Sequence, residues 1–153
     1  MLSLLPPIAN MRAVLGSRFG RRTDPVTGKA GAWHNGIDLR VPEGTELHSL
    51  SDGVVTFAGP LASSPDSGIA LGVRAADAVS WSFSHLSAVL VSPGDSVRAG
   101  QVVARSGNTG KSTGPHLHLV VRRAGREVDP VPLLLPSGAG LLAAGIAAAW
   151  WLA

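Results

Sequence analysis

From Ile37 onward, short runs of alternating apolar and polar residues recur along the chain, each closed by turn residues. The clearest is Val79 to His85, with Val79, Trp81 and Phe83 on one side and Ser80, Ser82 and Ser84 on the other. A period of two is that of a half-buried strand. The same reading predicts strands over 37–39, 53–59, 69–75, 101–106 and 116–123. Pro65-Asp-Ser-Gly68 and Ser92-Pro-Gly-Asp95 have the chemistry of turns. Residues 1 to about 30 read as an irregular entry, because Arg18-Phe-Gly-Arg-Arg-Thr-Asp-Pro-Val-Thr-Gly28 is dense in turn signals. Helical periodicity is seen only after Pro136. The expectation is an all-β, antiparallel domain of sandwich or barrel-like form, followed by an apolar C-terminal helix.

A weak internal echo supports the β reading. Pro42-Glu-Gly-Thr-Glu-Leu, leading to Gly53-Val-Val, resembles Pro93-Gly-Asp-Ser-Val-Arg-Ala-Gly-Gln-Val-Val103. Each reads as a turn, a short strand and a Gly that redirects the chain. The second copy also resembles the hairpins of biotinyl- and lipoyl-carrier domains. Those present a Lys at the hairpin tip, whereas the two lysines here, Lys29 and Lys111, lie elsewhere. The echo is therefore read as shared architecture.

A chain of 153 residues suffices for one compact domain with a core. The 19 Gly and 11 Pro fit a turn-rich β protein. The net charge of +3 comes from scattered arginines, without a basic stripe interleaved with aromatics. It predicts weak attraction to anionic surfaces such as wall polymers or lipid headgroups and argues against nucleic acid. The absence of Cys excludes disulfides, thiolate metal sites and thiol nucleophiles. Met1-Leu-Ser-Leu-Leu-Pro6-Pro7 makes a poor signal peptide, with no basic n-region and an apolar run broken by proline. If the substrate lies outside the cytoplasm, another route such as a holin or a phage particle has to deliver the protein. The apolar stretch from Gly138 to Ala153 would extend roughly 24 Å as a helix, short of the roughly 30 Å hydrocarbon core. Packing or assembly is thus favoured over membrane contact, although Trp150 and Trp151 would suit an interface. The domain is expected over 1–130, with its core over about 16–130, and the tail over 131–153.

The candidate chemistry lies in three elements: His34-Asn-Gly-Ile-Asp38, Ser84-His85-Leu86 and His116-Leu-His118. On a strand, His116 and His118 share one face, with Leu117 and Leu119 on the other. Both can hold one metal, or one can hold metal while the other meets substrate; taken alone, the pair reads equally well as surface histidines. Asn35-Gly36 opposes a helix and favours a turn into the strand at Ile37, which would bring His34 and Asp38 to one point. A hairpin with exposed polar residues is the plain alternative. His85 shares the parity of Val79, Trp81 and Phe83, which places it where their face opens into a cleft. Together these are the strand-borne histidines, with His48 set aside as structural or surface. Histidine and carboxylate form the usual ligand set of a catalytic zinc site that keeps one position open. No Glu lies beside the histidine pairs, so His-Glu-x-x-His chemistry is excluded and histidine is the expected acid or base.

The run Gly107-Asn-Thr-Gly-Lys-Ser-Thr-Gly-Pro-His116-Leu-His118 through Val128-Asp-Pro130 resembles the signature of lysostaphin-type zinc endopeptidases. Arg18-Phe-Gly-Arg-Arg-Thr-Asp-Pro-Val-Thr-Gly28 with His34-Asn-Gly-Ile-Asp38 is similar to their opening, and Phe83-Ser-His85 to their middle motif. The resemblance runs in order from about Gly16 to Pro130. It implies hydrolysis of peptide bonds in peptidoglycan stems or cross-bridges, on an antiparallel β fold with a long substrate groove. It implies Zn²⁺ held by His34, Asp38 and His118, with His85 and His116 as catalytic histidines beside the attacking water. The loop 106–115 is expected to wall the cleft, with Asn108, Ser112 and Thr113 contacting substrate and Gly107, Gly110 and Gly114 allowing close approach of a peptide. Phe83 stands where many members place a Tyr, which implies one lost hydroxyl near the site. Two other readings remain: a non-catalytic wall-binding or activator module, and a component of a phage-tail-like particle touching a membrane or particle through its tail.

Overall fold

The computed structural model describes residues 4–135. The expected helix after Pro136 lies outside the described residues. Among the described residues, no helix is long and apolar enough to cross a membrane. Eleven strands dominate them: β1 Gly20–Arg22, β2 Ala32–His34, β3 Ile37–Leu39, β4 Glu46–His48, β5 Gly53–Pro60, β6 Ile69–Arg74, β7 Val79–Val89, β8 Ser96–Val97, β9 Val102–Ser106, β10 Leu117–Arg123 and β11 Arg126–Val128. Two four-residue helices, α1 Met11–Val14 and α2 Val131–Leu134, lie at the ends.

The main sheet is antiparallel and runs β11-β10-β7-β6-β5-β8; β3 pairs with β10, and β9 with both β4 and β7. The alternation along β7 predicts its packing. Val79, Trp81 and Phe83 are buried in the core with Leu71, Leu119 and Val121. The buried Trp81 indole N–H donates to Ser51 Oγ at 3.0 Å, as a buried tryptophan requires. The internal echo proves to be a mutual embrace. The first strand of one copy pairs with the second of the other, β4 with β9 and β8 with β5.

Three expectations change. The entry holds a strand, β1, which pairs with β2 as a two-stranded sheet. The turn residues before Gly28 reverse a hairpin: Asp24 Oδ1 accepts from the amides of Val26 and Thr27, and Asp24 N donates to Lys29 O. His48 also lies on a strand, β4, where its Nδ1 meets Gly100 O at 2.9 Å. It is a buried structural histidine, so the strand-borne histidines are not confined to the three elements. Finally, β7 runs past His85, which sits at φ +61° in the left-handed region, tolerated by His more than by most residues. The register against β6 shifts there, between Phe83 and Leu86, and that against β9 shifts just after it, between Leu86 and Ala88. The first shift passes the core face from Phe83 to Leu86, which is fully buried, and turns His85 out to the opposite side.

At the other end of the chain, α2 docks Leu134 into the core, and Leu4 N donates to Leu133 O.

Candidate metal centre

β10 forms the floor of a cleft of about 690 Å³. Its alternation buries Leu117 and Leu119 and leaves His116 and His118 facing the cleft. β3 pairs beside it with His118 directly opposite Asp38. The Asn35-Gly36 turn carries the chain from His34 on β2 to β3. Gly36 is required there, because a Cβ would stand 2.1 Å from Leu119 O. The turn thereby lies flat against β10 and lets His34 reach the same point as Asp38.

His34 Nε2, Asp38 Oδ1 and His118 Nδ1 form a triangle with sides of 3.3 Å (Nε2–Oδ1), 3.2 Å (Nε2–Nδ1) and 2.9 Å (Nδ1–Oδ1). Metal–ligand bonds of 2.0–2.1 Å in a tetrahedron set ligand atoms ~3.3 Å apart, so the triangle fits. The donor set fits as well. His34 Nδ1–H donates to Arg18 O at 2.8 Å, which leaves Nε2 bare. His118 Nε2–H donates to Asn35 Oδ1 at 3.0 Å, which leaves Nδ1 bare. Arg22 lies 3.5 Å from Asp38 Oδ2 while donating to Ser17 Oγ, so the other carboxylate oxygen faces inward. Three lone pairs thus converge on one point and call for a cation. Burial would raise the Asp38 carboxyl, but the His118 and His34 rings packed against it outweigh burial and hold the group well below the usual carboxylate range; a cation among the three would hold it there with both rings neutral. These three residues could hold a metal ion.

His85 and His116 stand beside the triangle, with ring centroids 4.7 Å apart. His85 Nδ1–H donates to Thr109 O at 2.7 Å and His116 Nδ1–H to Gly114 O at 2.8 Å, so both keep Nε2 for the cleft. His116 Nε2 is 3.8 Å from Asp38 Oδ1. Burial pushes the His85 ring below its ordinary value; the Thr109 carbonyl opposes this, and His116 and His118 add to it.

The walls are turns. Ser112 and Thr113 line the cleft, and Ser112 Oγ donates to Gly114 O at 2.9 Å. Asn108 is exposed and does not line the cleft. Gly107 and Gly110 make room for the chain itself. Added Cβ atoms would meet Ser87 N at 2.5 Å and Asp66 O at 2.4 Å, whereas Gly114 faces open space. Phe83 packs against Trp81 in the core, centroids 4.9 Å apart, and is fully buried. The ring at this position does not reach the cleft. The opposite wall carries Val26 and Trp33, both exposed, with Trp33 edge-on to Phe19 at 5.2 Å.

Sequence reasoning missed Asn35, Glu127, Arg22 and Trp33. Asn35 and Trp33 flank His34 and had a positional signal. Glu127 is brought in by β11 and had none.

The family model for peptidase family M23 matches residues 32–130, and the chain belongs to that family. The chain is 40% identical over 125 residues to the DD-carboxypeptidase/endopeptidase Mpg of Neisseria meningitidis serogroup B, an alignment covering 80% of this chain and 27% of that protein. Thus the chain spans about a quarter of that relative's length. Among solved structures it is similar to a zinc-containing peptidase from Vibrio cholerae, with TM-score 0.73 and 34% identity over 83% of this chain and 39% of the other. It is also similar to the catalytic domain of the antimicrobial peptidase lysostaphin from Staphylococcus simulans, with TM-score 0.68 and 29% identity over 81% and 96%. The lysostaphin-like resemblance and the antiparallel β fold expected from the sequence are both borne out.

Proposed function

We propose that the chain is a zinc-dependent endopeptidase unit that hydrolyses peptide bonds in peptidoglycan and acts at the cell wall. The observation that carries this reading is the meeting of three bare ligand atoms with two imidazoles whose Nε2 atoms face the same cleft. A triad of two nitrogens and one oxygen at tetrahedral spacing suits Zn²⁺ and leaves a fourth position free. The zinc-containing relative supports the choice of metal.

His34, Asp38 and His118 would hold the ion. When bound, zinc supplies Lewis acidity, polarising a peptide carbonyl and making water nucleophilic near neutral pH. His85 serves as the base. Its Nδ1–H is tied to Thr109 O, its lowered proton affinity keeps it neutral, and Nε2 is free to take a proton from the attacking water. His116, fixed through Gly114 O, presents Nε2 to the same cleft. The protonated His85 then gives that proton to the departing amine, and His116, when it carries a proton from solvent on Nε2, donates to the oxyanion. Ser112 and Thr113 line the cleft where substrate amides would pass, and Trp33 and Val26 offer it an apolar rim.

The bond cut joins two D-configured centres, the D-Ala–diaminopimelate type of cross-link. The relative at 40% identity is named for DD chemistry, and bonds between D-centres belong to wall peptides. The peptidase unit occupies about 16–130. The test is digestion of purified Gram-negative and pentaglycine-bridged sacculi, with mass spectrometry of the released peptides. Release of DD-cleaved products, lost with chelator and in His116→Ala, is expected. Cleavage of pentaglycine bridges alone would refute the bond assignment, and no cleavage by folded, zinc-loaded protein would refute the enzyme.

A further inference from the structure

A line of hydrogen bonds leaves the metal centre through Asn35, which itself lines the cleft, and ends in the β10–β11 hairpin. His118 Nε2 meets Asn35 Oδ1 at 3.0 Å. Asn35 Nδ2 donates to Glu127 Oε1 at 3.1 Å. Arg122 NH2 donates to the same oxygen at 3.1 Å. Arg122 and Glu127 lie opposite each other in the register of β10 and β11.

The direction of every bond follows from its outer end. A guanidinium only donates, and a carboxylate accepts. Glu127 therefore requires the nitrogen end of the Asn35 amide, which turns the Asn35 oxygen toward His118. An amide oxygen accepts, so the His118 proton must sit on Nε2. Its Nδ1 is then bare and faces His34 and Asp38.

We propose that Asn35, oriented by Glu127 and Arg122, is a positioning residue that fixes the His118 tautomer and so sets the affinity of the centre for its metal. The proposal rests on the reading that His34, Asp38 and His118 hold zinc. The other two ligands are oriented from elsewhere: His34 by a backbone carbonyl, Asp38 by Arg22. His118 alone of the three depends on a side chain that can itself flip. That explains why the relay extends two residues further. An unanchored amide would present oxygen or nitrogen equally well, and its nitrogen would favour the wrong tautomer.

The experiment is zinc affinity by chelator competition, with circular dichroism and thermal melting to check each fold. Asn35→Ala should weaken zinc binding by about 10- to 100-fold, the usual effect of removing a partner of a ligating histidine, and Glu127→Ala should weaken it less. The double variant Asn35→Asp with Glu127→Gln reverses the polarity of the link. The carboxylate introduced at position 35 would accept from both His118 and the new amide at position 127, whose oxygen would still accept from Arg122. This variant should recover most of the affinity, which a purely structural role for Asn35 would not predict. Proton–nitrogen correlation spectra of zinc-loaded wild type should place the His118 proton on Nε2. A proton on Nδ1, or unchanged affinity in folded Asn35→Ala, overturns the relay while leaving the metal centre standing. Wild type that takes up no zinc overturns both, and zinc uptake lost in His34→Ala ties the measurement to this centre.

Discussion

The floor of the cleft is made of paired strands and its walls of turns. On the floor, Asp38 and His118 face each other across the β3–β10 register, and His34 and His118 each have their remaining ring nitrogen engaged. On the walls, the 24–28 turn is held by local hydrogen bonds, while the 106–115 loop is anchored at single points, Thr109 to Ile69 N and Leu86 O and Lys111 N to Asp66 O, with Ser112 Oγ held locally by Gly114 O. The floor is thus over-determined by continuous strand pairing, and the walls are turns held by local bonds and a few point contacts. Such a division lets the chemistry stay fixed while substrate contacts vary.

Removing a ligand from the floor should have the largest effect. Asp38→Ala opens the triangle, so metal analysis should find little bound zinc, and sacculus digestion should fall by about 10³-fold or more, as loss of several kcal/mol of transition-state stabilisation implies. Retained zinc with full activity would break the assignment of the floor. His85→Ala and His116→Ala test the groups between floor and wall. Each should keep its zinc and lose about 10²- to 10⁴-fold in kcat, the range for a positioned acid or base.

The Gly36 contact is the floor's steric weak point. Gly36→Ala puts a carbon 2.1 Å from Leu119 O, a backbone atom that cannot move without shifting β10. Overpacking of this kind costs ~1–3 kcal/mol or more, and thermal denaturation should show a clearly lower midpoint. An unchanged melting curve would mean that the turn can lift off β10. The pH profile gives a smaller effect with a definite sign. With His85 as the proposed base, hydrolysis would need it unprotonated, and its proton affinity is lowered by burial, a shift the Thr109 carbonyl opposes and the neighbouring histidines reinforce. Activity should therefore rise with pH through a point below the ordinary histidine value of 6.5 and be fully developed above it. In kcat/KM measurements, an acid limb centred above 6.5 would exclude His85 as the base.

The same division explains what was legible in the sequence. Period-two alternation exposed β7 and β10, and the shared face of His116 and His118 follows from it directly. The triangle's other members were legible because Asn35-Gly36 advertises its turn. His85 was placed by a parity argument that fails, since a left-handed residue and a register shift cannot be seen in an alternating pattern that stops one residue later. β1 was hidden because a three-residue strand beside a turn carries too few apolar positions to show a period. Glu127 was invisible for a different reason. Its role depends on the β10–β11 pairing that brings it to Asn35, some 90 residues away in sequence.

Trp33 offers the finest test of the walls. It stands next to His34 in the sequence but on the opposite face of β2, so the histidine is buried while the indole is 59% exposed at the rim. Its edge-on contact with Phe19 holds the ring without burying it. The exposed indole leaves apolar surface in water beside Val26, and under the peptidase reading proposed above that rim would grip a substrate chain. Trp33→Ala leaves the triangle, His85 and His116 untouched. It should raise KM by up to about 10-fold with kcat nearly unchanged, the signature of lost uniform binding. Zinc content should be unaffected. If kcat fell instead while KM held, the wall would be steering the reacting bond and not merely gripping the peptide, and the separation between floor and walls would be weaker than the strand pairing implies.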